Sequence, residues 1–396
     1  MTSKNARRKA RRKDLRPPKV DGAEVKNTGG VVLCMIVKNE SKIIHRCLDS
    51  AKPAISGVCV TDTGSEDNTI ELIEQWGRDN DLPTKVCKSP FKNFGYARSR
   101  SFINAKAHFP DASYYLLLDA DMVLVVTEFW DPSQLTDHCY SVYQFNTSIR
   151  YTNIRLIRAD RKWRCRAATH EFWECEDATS SDVKGTCRTI EIDDRNDGGA
   201  KADKFTRDKR LLLAELAEKD LREDIRTRDM FYLAQTYNCL GEHKEAIRRY
   251  QARIKRGGFE EEAWYCHFQI GEMYKELDNW ENALHWYELA WNRRSHRTEP
   301  LQRIAKYYRE KEHHKLALHW AKLGISLGYP HDDHLFIEHW VYDWGLKLEV
   351  EICGYYVPPE RNLGYQIHRD LTNMRDDVIP GWVRRILEKN SEFYLM

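Results

Sequence analysis

The chain has 396 residues, of which 41% are hydrophobic and 11% aromatic, and its formal net charge is +2. This composition excludes an intrinsically disordered chain, and the length allows two or three domains with sizeable cores. The sequence contains no run of about 18 apolar residues, so we expect no transmembrane segment. Eleven cysteines without a Cys-x-x-Cys pair, and no apolar signal sequence, predict reduced thiols and a cytoplasmic protein.

Residues 1–30 predict a basic, disordered arm. Nine Lys or Arg residues and one Asp give the first 19 residues a charge of +8, so the rest of the chain carries −6. Such an arm can bind nucleic acid or an anionic membrane surface, or act as a nuclear address. Gly29-Gly30 ends the arm, and we expect the folded protein to begin near Val31.

Residues 31–207 predict an α/β domain with a largely parallel sheet, because short apolar runs alternate with amphipathic helical stretches. The predicted strands are 31–37, 57–60, 85–87, 114–118, 140–145 and 154–157. The stretch 176–206 is polar and rich in Asp and Gly, which predicts a mobile loop or lid.

Residues 208–350 predict a helical domain built from repeats. Small residues and tyrosines recur with offsets of 37 and 34 residues. The three sets are Ala234, Tyr237, Ala246 and Tyr250; Gly271, Tyr274, Ala283 and Tyr287; and Ala305, Tyr308, Ala317 and Ala321. The pattern resembles the tetratricopeptide repeat, whose period is 34 residues and whose small residues let paired helices approach closely. Residues 335–350 predict a further degenerate helix pair, and 351–396 a mixed C-terminal tail packed back on the first domain.

Asp119-Ala120-Asp121 follows directly after the apolar run Leu116-Leu117-Leu118. The carboxyl ends of parallel strands are where α/β proteins bind ligands, and two such carboxylates can share one Mg²⁺ or Mn²⁺ with a diphosphate. Asp62 ends the second strand inside Thr-Asp-Thr-Gly-Ser, where it could accept hydrogen bonds from a nucleobase or ribose. Both motifs also suit ordinary turns, since Asp and Gly favour turns whatever their function.

Together these segments resemble family 2 glycosyltransferases, which have the GT-A fold. The similar segments are 35–41, 46–48, 60–69, 97–99 and 118–121. Arg155-Leu156-Ile157-Arg158, followed by Thr169-His170-Glu171, resembles the late His-Glu element of a subgroup with tetratricopeptide repeats behind the transferase domain. The resemblance covers about 31–325, and it implies an α/β GT-A (Rossmann-like) domain followed by an all-α tetratricopeptide-type solenoid.

The resemblance implies a nucleotide-sugar donor, with a UDP-sugar favoured, and Mn²⁺ or Mg²⁺ as cofactor. The residues expected near the nucleotide sugar are Val37, Asn39, Glu40, Asp62, Arg98 and Asp119. Asp121 is expected to bind the metal, and His170 the metal or a phosphate. Glu171 is expected to act as the base, although His170 could exchange roles with it. The alternative is that His170 and Glu171 pair with Arg164 or Arg166 in a surface hairpin.

One segment departs from the family pattern. Related sequences often have a His-Tyr-Gly-Tyr-like element after the His-Glu region, and here Asp-Asp-Arg-Asn-Asp-Gly-Gly occupies 193–199. Asp194 or Asp197 could replace that element in the metal shell. The glycines with Lys201 and Lys204 could instead close over the diphosphate as a lid.

The expected function is a metal-dependent glycosyltransferase that moves a sugar to an acceptor hydroxyl with inversion. The acceptor could be a glycan, lipid or polypeptide, and the repeats could bind it, bind a protein partner or self-associate. The alternative is a catalytically inactive repeat scaffold that binds nucleotide or glycan. A nucleotidyltransferase is disfavoured because Lys38-Asn39-Glu40-Ser41, and not a Gly-rich basic loop, follows the first strand.

Overall fold

The computed structural model describes residues 30–146, 150–198 and 203–394. The predicted basic arm, apart from Gly30, and Lys201 of the predicted lid lie outside these residues. Contacts between Cα atoms divide the chain into two compact units, with the boundary between Ile225 and Arg226. This boundary lies beyond the predicted one at residue 207. Helix 204–216 goes with the first unit because the carboxylate of Glu215 accepts a hydrogen bond from the Ala168 backbone.

The first unit is built around an eight-stranded mixed sheet. Its elements are β1 (Val31–Val37), α1 (Ile44–Ala51), β2 (Gly57–Asp62), α2 (Thr69–Asp79), β3 (Thr84–Lys88), α3 (Phe94–His108), β4 (Tyr114–Leu117), β5 (Met122–Val126), β6 (Cys139–Phe145), β7 (Arg150–Arg158), β8 (Trp163–Arg166), β9 (Phe172–Cys175), β10 (Lys184–Asp194) and α4 (Lys204–Leu216). The strand order is β3-β2-β1-β4-β7-β6-β10-β5, and β8 and β9 form a separate antiparallel pair.

Strands β1 to β4 are mutually parallel, whereas β7 and β5 run antiparallel to their neighbours. Alternate residues of β1 pack on opposite faces of the sheet. Leu33 and Met35 belong to a cluster with residues of α1 and α2, and Val32 belongs to a cluster with Phe102 of α3 and Phe109, which follows α3. Burial on both faces explains the continuous apolar runs and confirms the predicted α/β fold class.

Strand β10 lies inside the stretch 176–206 that the sequence predicts to be a mobile loop or lid, so that prediction is wrong for 184–194. Its apolar residues Cys187, Ile190 and Ile192 are buried. The register against β6 shifts between Cys187 and Glu191, as in a β-bulge. This shift interrupts the alternation of apolar and polar residues by which a strand is read from sequence.

The second unit is helical. Its helices are α5 (Glu223–Cys239), α6 (His243–Ile254), α7 (Glu260–Glu276), α8 (Trp280–Arg293), α9 (Glu299–Glu310), α10 (His314–Leu327), α11 (Leu346–Tyr356), α12 (Arg361–Thr372) and α13 (Gly381–Tyr394). The small repeat positions Ala246, Ala283 and Ala317 are fully buried. A Cβ on Gly271 would lie 2.6 Å from the ring of Tyr287, so α7 and α8 approach as closely as the repeat pattern predicts. The predicted solenoid is confirmed.

The C-terminal tail continues the helical array, which differs from the predicted mixed tail. A π-helical turn at Val341–Gly345 leads into α11, which pairs with α12. A Cβ on Gly354 would lie 2.9 Å from the Cα of Gly364, so these two backbones nearly touch. Helix α13 packs through Val383 and Leu387 on the side of α11. Among the described residues, no helix is long and apolar enough to cross a bilayer.

Candidate functional site

The carboxyl ends of the parallel strands bring several predicted residues to one edge of the sheet. Val37 is the partner of Asp62 in the β1–β2 register. Asp119 follows β4, which runs parallel to β1. Asp194, at the end of β10, is the partner of Met122. This edge is where an open α/β sheet binds ligands.

Arg98 of α3 binds two acidic residues from different parts of the chain. Its Nη1 and Nη2 donate to Oδ1 and Oδ2 of Asp119 at 2.7 and 3.0 Å. Its Nε donates to Oε1 of Glu171 at 2.5 Å. The Arg98, Asp119 and Glu171 side chains are 17%, 25% and 16% exposed. Charge-assisted bonds from a planar guanidinium fix both carboxylates in position.

Contact between the opposite charges of Arg98 and Asp119 stabilises the charged form of each group. Burial alone would raise the pKa of Asp119, but the charge of Arg98, its hydrogen bonds and the charge of Arg155 together lower it. Burial would lower the pKa of Arg98, but Asp119 and Glu171 raise it well above its ordinary value. Asp119 is therefore a carboxylate and Arg98 a cation at neutral pH.

A buried polar network of Arg155 and Gln144 supports Asp119; Arg155 belongs to the 155–158 segment quoted above, which gave it no role at the site, and Gln144 belongs to no motif. Arg155 Nη1 lies 3.9 Å from Oδ2 of Asp119, and its Nη2 donates to Oε1 of Gln144 at 2.8 Å. The amide of Gln144 donates to Oδ2 of Asp194 at 2.9 Å. Arg155 and Gln144 are both buried. Gln144 in the mostly apolar strand β6, and Arg155 within the apolar run 154–157 of β7, were the available sequence signal.

Asp62 shapes the loop after β2. Its Oδ1 accepts hydrogen bonds from the backbone N–H groups of Gly64 and Ser65 at 3.0 and 3.1 Å. Gly64 has a φ of 116°, which a residue with a side chain rarely adopts. Because Asp62 is almost fully buried, its carboxylate serves the turn in this structure.

Asn39 joins the loops that follow β1 and β2. Its backbone N–H donates to Ser65 Oγ at 2.9 Å, and its side-chain oxygen accepts from the Glu66 backbone at 2.7 Å. Glu40 donates from its backbone to Thr69 Oγ1 at 2.8 Å. An open cleft beside these loops is lined by Asn39, Glu40, Ser41, Lys42, Ile43, Glu66, Asp67 and Asp197. Two of the predicted donor-binding residues, Asn39 and Glu40, thus face a common cleft.

Asp121 and its neighbours form the other side of this edge. The carbonyl of Asp121 accepts from the Arg195 backbone at 3.0 Å, and a Cβ on Gly198 would lie 3.1 Å from Oδ2 of Asp121. The segment after β10 therefore covers Asp121. The carboxylate of Asp197 is held by Arg46 through two hydrogen bonds of 2.6 and 2.7 Å, and that of Asp194 by Gln144.

Among the described residues, His170 belongs to no ready-made metal site. His170 is exposed, and its φ of 51° lies in the left-handed region. Within the described residues, no three His, Cys, Asp or Glu side chains form a group that could hold a metal. The carboxylate of Asp121 still fits Mg²⁺ or Mn²⁺, since one or two carboxylates suffice when phosphate and water oxygens complete the shell.

Glu171 does not make the contacts of the predicted alternative, in which it pairs with Arg164 or Arg166. Arg166 pairs with Glu174 and Glu176 at 2.7 and 2.8 Å, and Arg164 lies 3.7 Å from Glu176. The hairpin arginines thus bind acids of β9 and the turn after it, while Glu171 binds Arg98.

Comparison with known proteins identifies the first part of the chain. Residues 32–130 match the model of the family described as glycosyl transferase family 2. Residues 32–130 form a family 2 glycosyltransferase domain. Val37, Asn39, Glu40, Asp62, Arg98, Asp119 and Asp121 all lie inside this domain. Glu171 lies outside the matched residues, but Arg98 connects it to Asp119.

Individual proteins that resemble this chain do so over a short stretch or at low sequence identity. A TPR repeat-containing protein of Synechococcus elongatus is 33% identical over 101 residues, which are 25% of this chain and 22% of that protein. The chain thus spans about a fifth of the length of this curated relative. Crystallised S. aureus TarS 1-349 in complex with UDP-GlcNAc is 14% identical, with a TM-score of 0.33, covering 64% of this chain and 89% of that chain. A tetratricopeptide repeat protein from Parabacteroides merdae is 14% identical, with a TM-score of 0.35, covering 48% of this chain and 66% of that chain.

Proposed function

We propose that this protein is a glycosyltransferase that moves a sugar from a nucleotide-sugar donor to an acceptor hydroxyl. One observation carries the proposal. Arg98 holds Asp119, at the ligand-binding edge of a family 2 glycosyltransferase domain, beside a second acid, Glu171, that can act as a base. A scaffold that only binds nucleotide would not need this second carboxylate at the same guanidinium.

The donor is expected along the edge formed by the loops after β1, β2 and β4. Asn39 and Glu40 line the open cleft there, and Asp119 follows the neighbouring strand. We propose that these residues, with Val37 and Asp62, surround the nucleoside, and that Arg98 reaches the donor through Asp119. A UDP-sugar is the favoured donor because of the family motifs. Buried Asp62 would then act by shaping the loop.

Metal dependence is part of the proposal. Asp121 would hold Mg²⁺ or Mn²⁺, which when bound offsets the negative charge that builds on the departing diphosphate. The rest of its shell would come from phosphate and water oxygens, with His170 as a further candidate ligand. Asp197 is less suited to the metal because Arg46 already binds both of its oxygens.

Glu171 is the proposed base of an inverting transfer. The acceptor oxygen forms its bond to the anomeric carbon as the bond from that carbon to the diphosphate oxygen breaks, and the hydroxyl proton passes to the Glu171 carboxylate. Arg98 binds Oε1 of Glu171, so the proton is expected at Oε2. The guanidinium thereby orients the base for the acceptor hydroxyl.

A thermal-shift panel tests the donor half of the proposal. The panel contains UDP-, GDP-, dTDP- and CMP-linked sugars, each with and without Mn²⁺. A ligand that binds only the folded chain raises the melting temperature by an amount set by its concentration relative to its Kd. We expect a Mn²⁺-dependent rise for a UDP-sugar. No rise with any donor would contradict the proposal and favour the inactive scaffold. Transfer is then tested with the responding donor by following nucleotide release.

A further inference from the structure

The segment 331–338, here called the crossing segment, lies between α10 and the turn that begins α11. It contacts the first helix of three successive repeats. Phe336 stacks against Phe231 of α5 and Tyr265 of α7, and Glu338 pairs with Arg303 of α9. One face of the repeat array is therefore occupied by a stretch of the chain's own backbone.

The array binds the backbone of the crossing segment through buried side chains. Oε2 of Glu261 accepts hydrogen bonds from the backbone N–H groups of His334 and Leu335 at 2.8 and 2.6 Å. Arg297 donates to the carbonyls of Leu335 and Phe336 at 3.2 and 3.1 Å. Side chains that bind main-chain groups recognise a polypeptide whatever its sequence.

Side-chain contacts then select particular residue types. The ring of Phe336 lies 4.3 Å from that of Tyr265, centroid to centroid, at 29°. Both carboxylate oxygens of Glu338 accept from Arg303 Nη2, at 2.9 and 2.7 Å. At the other end, Asp333 is bound by Arg294 and Arg297. The groove thus accepts an aromatic ring followed two residues later by an acid.

The two ends of the crossing segment are held differently. The carboxylate of Asp333 is 1% exposed, whereas Phe336 is 39% exposed and has a φ of 52°. A bulky side chain rarely adopts this left-handed conformation, so the Phe336 end is strained. Arg303 is also 3.3 Å from Glu272, so it keeps a carboxylate partner if Glu338 leaves. The half of the segment from Leu335 to Glu338 is the half that can be displaced.

We propose that this face of the repeats is a binding groove for a partner polypeptide with the pattern aromatic, any residue, acidic, and that residues 335–338 occupy the groove until the partner displaces them. The partner's ring would stack on Tyr265, its acid would pair with Arg303, and its backbone would bind Glu261 and Arg297. The cationic and aromatic lining matches this pattern and disfavours a basic partner. The inference does not depend on the transferase activity.

A peptide-binding experiment with the full chain tests the proposal. The probe is a fluorescein-labelled peptide of residues 334–340, His-Leu-Phe-Ile-Glu-His-Trp, followed by fluorescence anisotropy. The double variant Phe336→Ala, Glu338→Gln removes the internal competitor and leaves the groove residues intact. We expect it to bind the peptide at least about tenfold more tightly than the native chain, because a competing occupant lowers apparent affinity. Asp332→Asn, at an exposed position of the same segment, should bind like the native chain.

Two further variants define the groove. A peptide with Phe336→Ala should lose affinity for the double variant. Adding Arg303→Gln to the double variant should also weaken binding of the original peptide by about tenfold, as for a lost charged contact. Glu272 would keep Lys275 and Tyr287 as partners, so this change leaves no buried carboxylate unpaired. A folded double variant that does not bind the peptide, or equal binding by the native chain, would overturn the proposal.

Hydrogen exchange of the native chain gives a second test that needs no variant. The Leu335 amide, which donates to Glu261, should exchange at least about tenfold faster than the amides of α7 and α9, because residues 335–338 open by themselves. Exchange of this amide only together with α7 and α9 would show that the segment is a permanent part of the fold. Failure of the double variant to fold would point to the same conclusion and overturn the proposal.

Discussion

Arg98 and Asp119 face each other through two parallel hydrogen bonds, and the Nε of Arg98 donates to Glu171. The acid that follows β4 and the acid that precedes β9 therefore share one cation. Since α3 supplies this cation, the position of one helix sets the distance between the two acids.

Arg98→Lys should lower kcat by about a hundredfold or more, as expected for loss of a preorganised charged group. An ammonium group cannot place two parallel bonds on Asp119 and a third on Glu171 in the geometry of a guanidinium. Steady-state kinetics with the identified donor measure kcat and KM separately. Arg78→Lys, at a partner of Gln75 on the exposed face of α2, is the control. Unchanged kcat in Arg98→Lys would contradict the proposed role.

Asp121→Ala should abolish the Mn²⁺-dependent rise in melting temperature with the donor, because it removes the proposed carboxylate ligand of the metal. Asp111→Ala, an exposed residue before β4, should leave the rise unchanged. Melting temperatures are measured at one donor concentration over a series of Mn²⁺ concentrations. A rise in Asp121→Ala as large as in the native chain would show that Asp121 does not bind the metal.

Glu171→Gln should preserve donor binding yet lower transfer by about 10² to 10⁴-fold, the usual contribution of a general base. An amide can still accept the hydrogen bond from Arg98 but cannot take the acceptor proton. Donor titration and transfer rates are compared in the same preparation. Glu176→Gln, in the same hairpin and paired with Arg166, serves as the matched control. Transfer at the native rate would exclude Glu171 as the base.

Asp333→Asn should destabilise the chain at neutral pH, with the difference fading in acid. Burial alone would raise the pKa of Asp333, but Arg294, His296 and Arg297 lower it to about 2. A folded-state pKa below the unfolded value of about 3.9 stabilises the fold above pH 4, and this contribution is lost as the pH falls towards 2. At pH 7 it corresponds to about 2.5 kcal/mol in the free energy of unfolding.

Urea unfolding of native and Asp333→Asn chains between pH 7 and pH 2 measures that difference. If the difference in the free energy of unfolding between the two chains stays constant down to pH 2, the ionised carboxylate of Asp333 is not its source. Asp332→Asn is the neighbouring exposed control and should change the free energy of unfolding by less than about 0.5 kcal/mol.

Gly271→Ala should destabilise the chain by about 1–3 kcal/mol, the usual effect of overpacking a core. The added Cβ would lie 2.6 Å from the ring of Tyr287, which is itself fully buried and cannot move freely. Gly381→Ala is the control, since the nearest atom to its Cβ would be Arg385 Nη1 at 3.9 Å. Equal stability of the two variants by urea unfolding would mean that α7 and α8 are less tightly packed than described.

Strands with continuous apolar runs could be predicted from the sequence, and strands whose pattern is broken could not. β1, β2 and β4 are buried on both faces, so nearly every residue is apolar. β10 has only three apolar positions, separated by a bulge, within a charged stretch. The repeat helices were predictable because steric contact, such as Gly271 against Tyr287, demands small residues at a fixed period.

The candidate site likewise contains residues that could be predicted from the sequence and residues that could not. The motif residues Arg98, Asp119 and Glu171 were expected together, and the structure brings their side chains into contact. The support from Arg155 and Gln144 could not be predicted, because it depends on β7 lying between β4 and β6. Strand order is a property of the whole sheet, and no local pattern records it.

That strand order has a practical consequence for cutting the chain. The family match ends at residue 130, but β4 is hydrogen-bonded to β7, which begins only at Arg150. A fragment that stops at 130 would leave β4 as a bare strand edge, which invites pairing with another molecule and aggregation. The Gly95 backbone also donates to Ala167, and Ala168 donates to Glu215. The shortest fragment expected to stay monomeric in solution therefore ends after Leu216, far beyond the recognisable family segment.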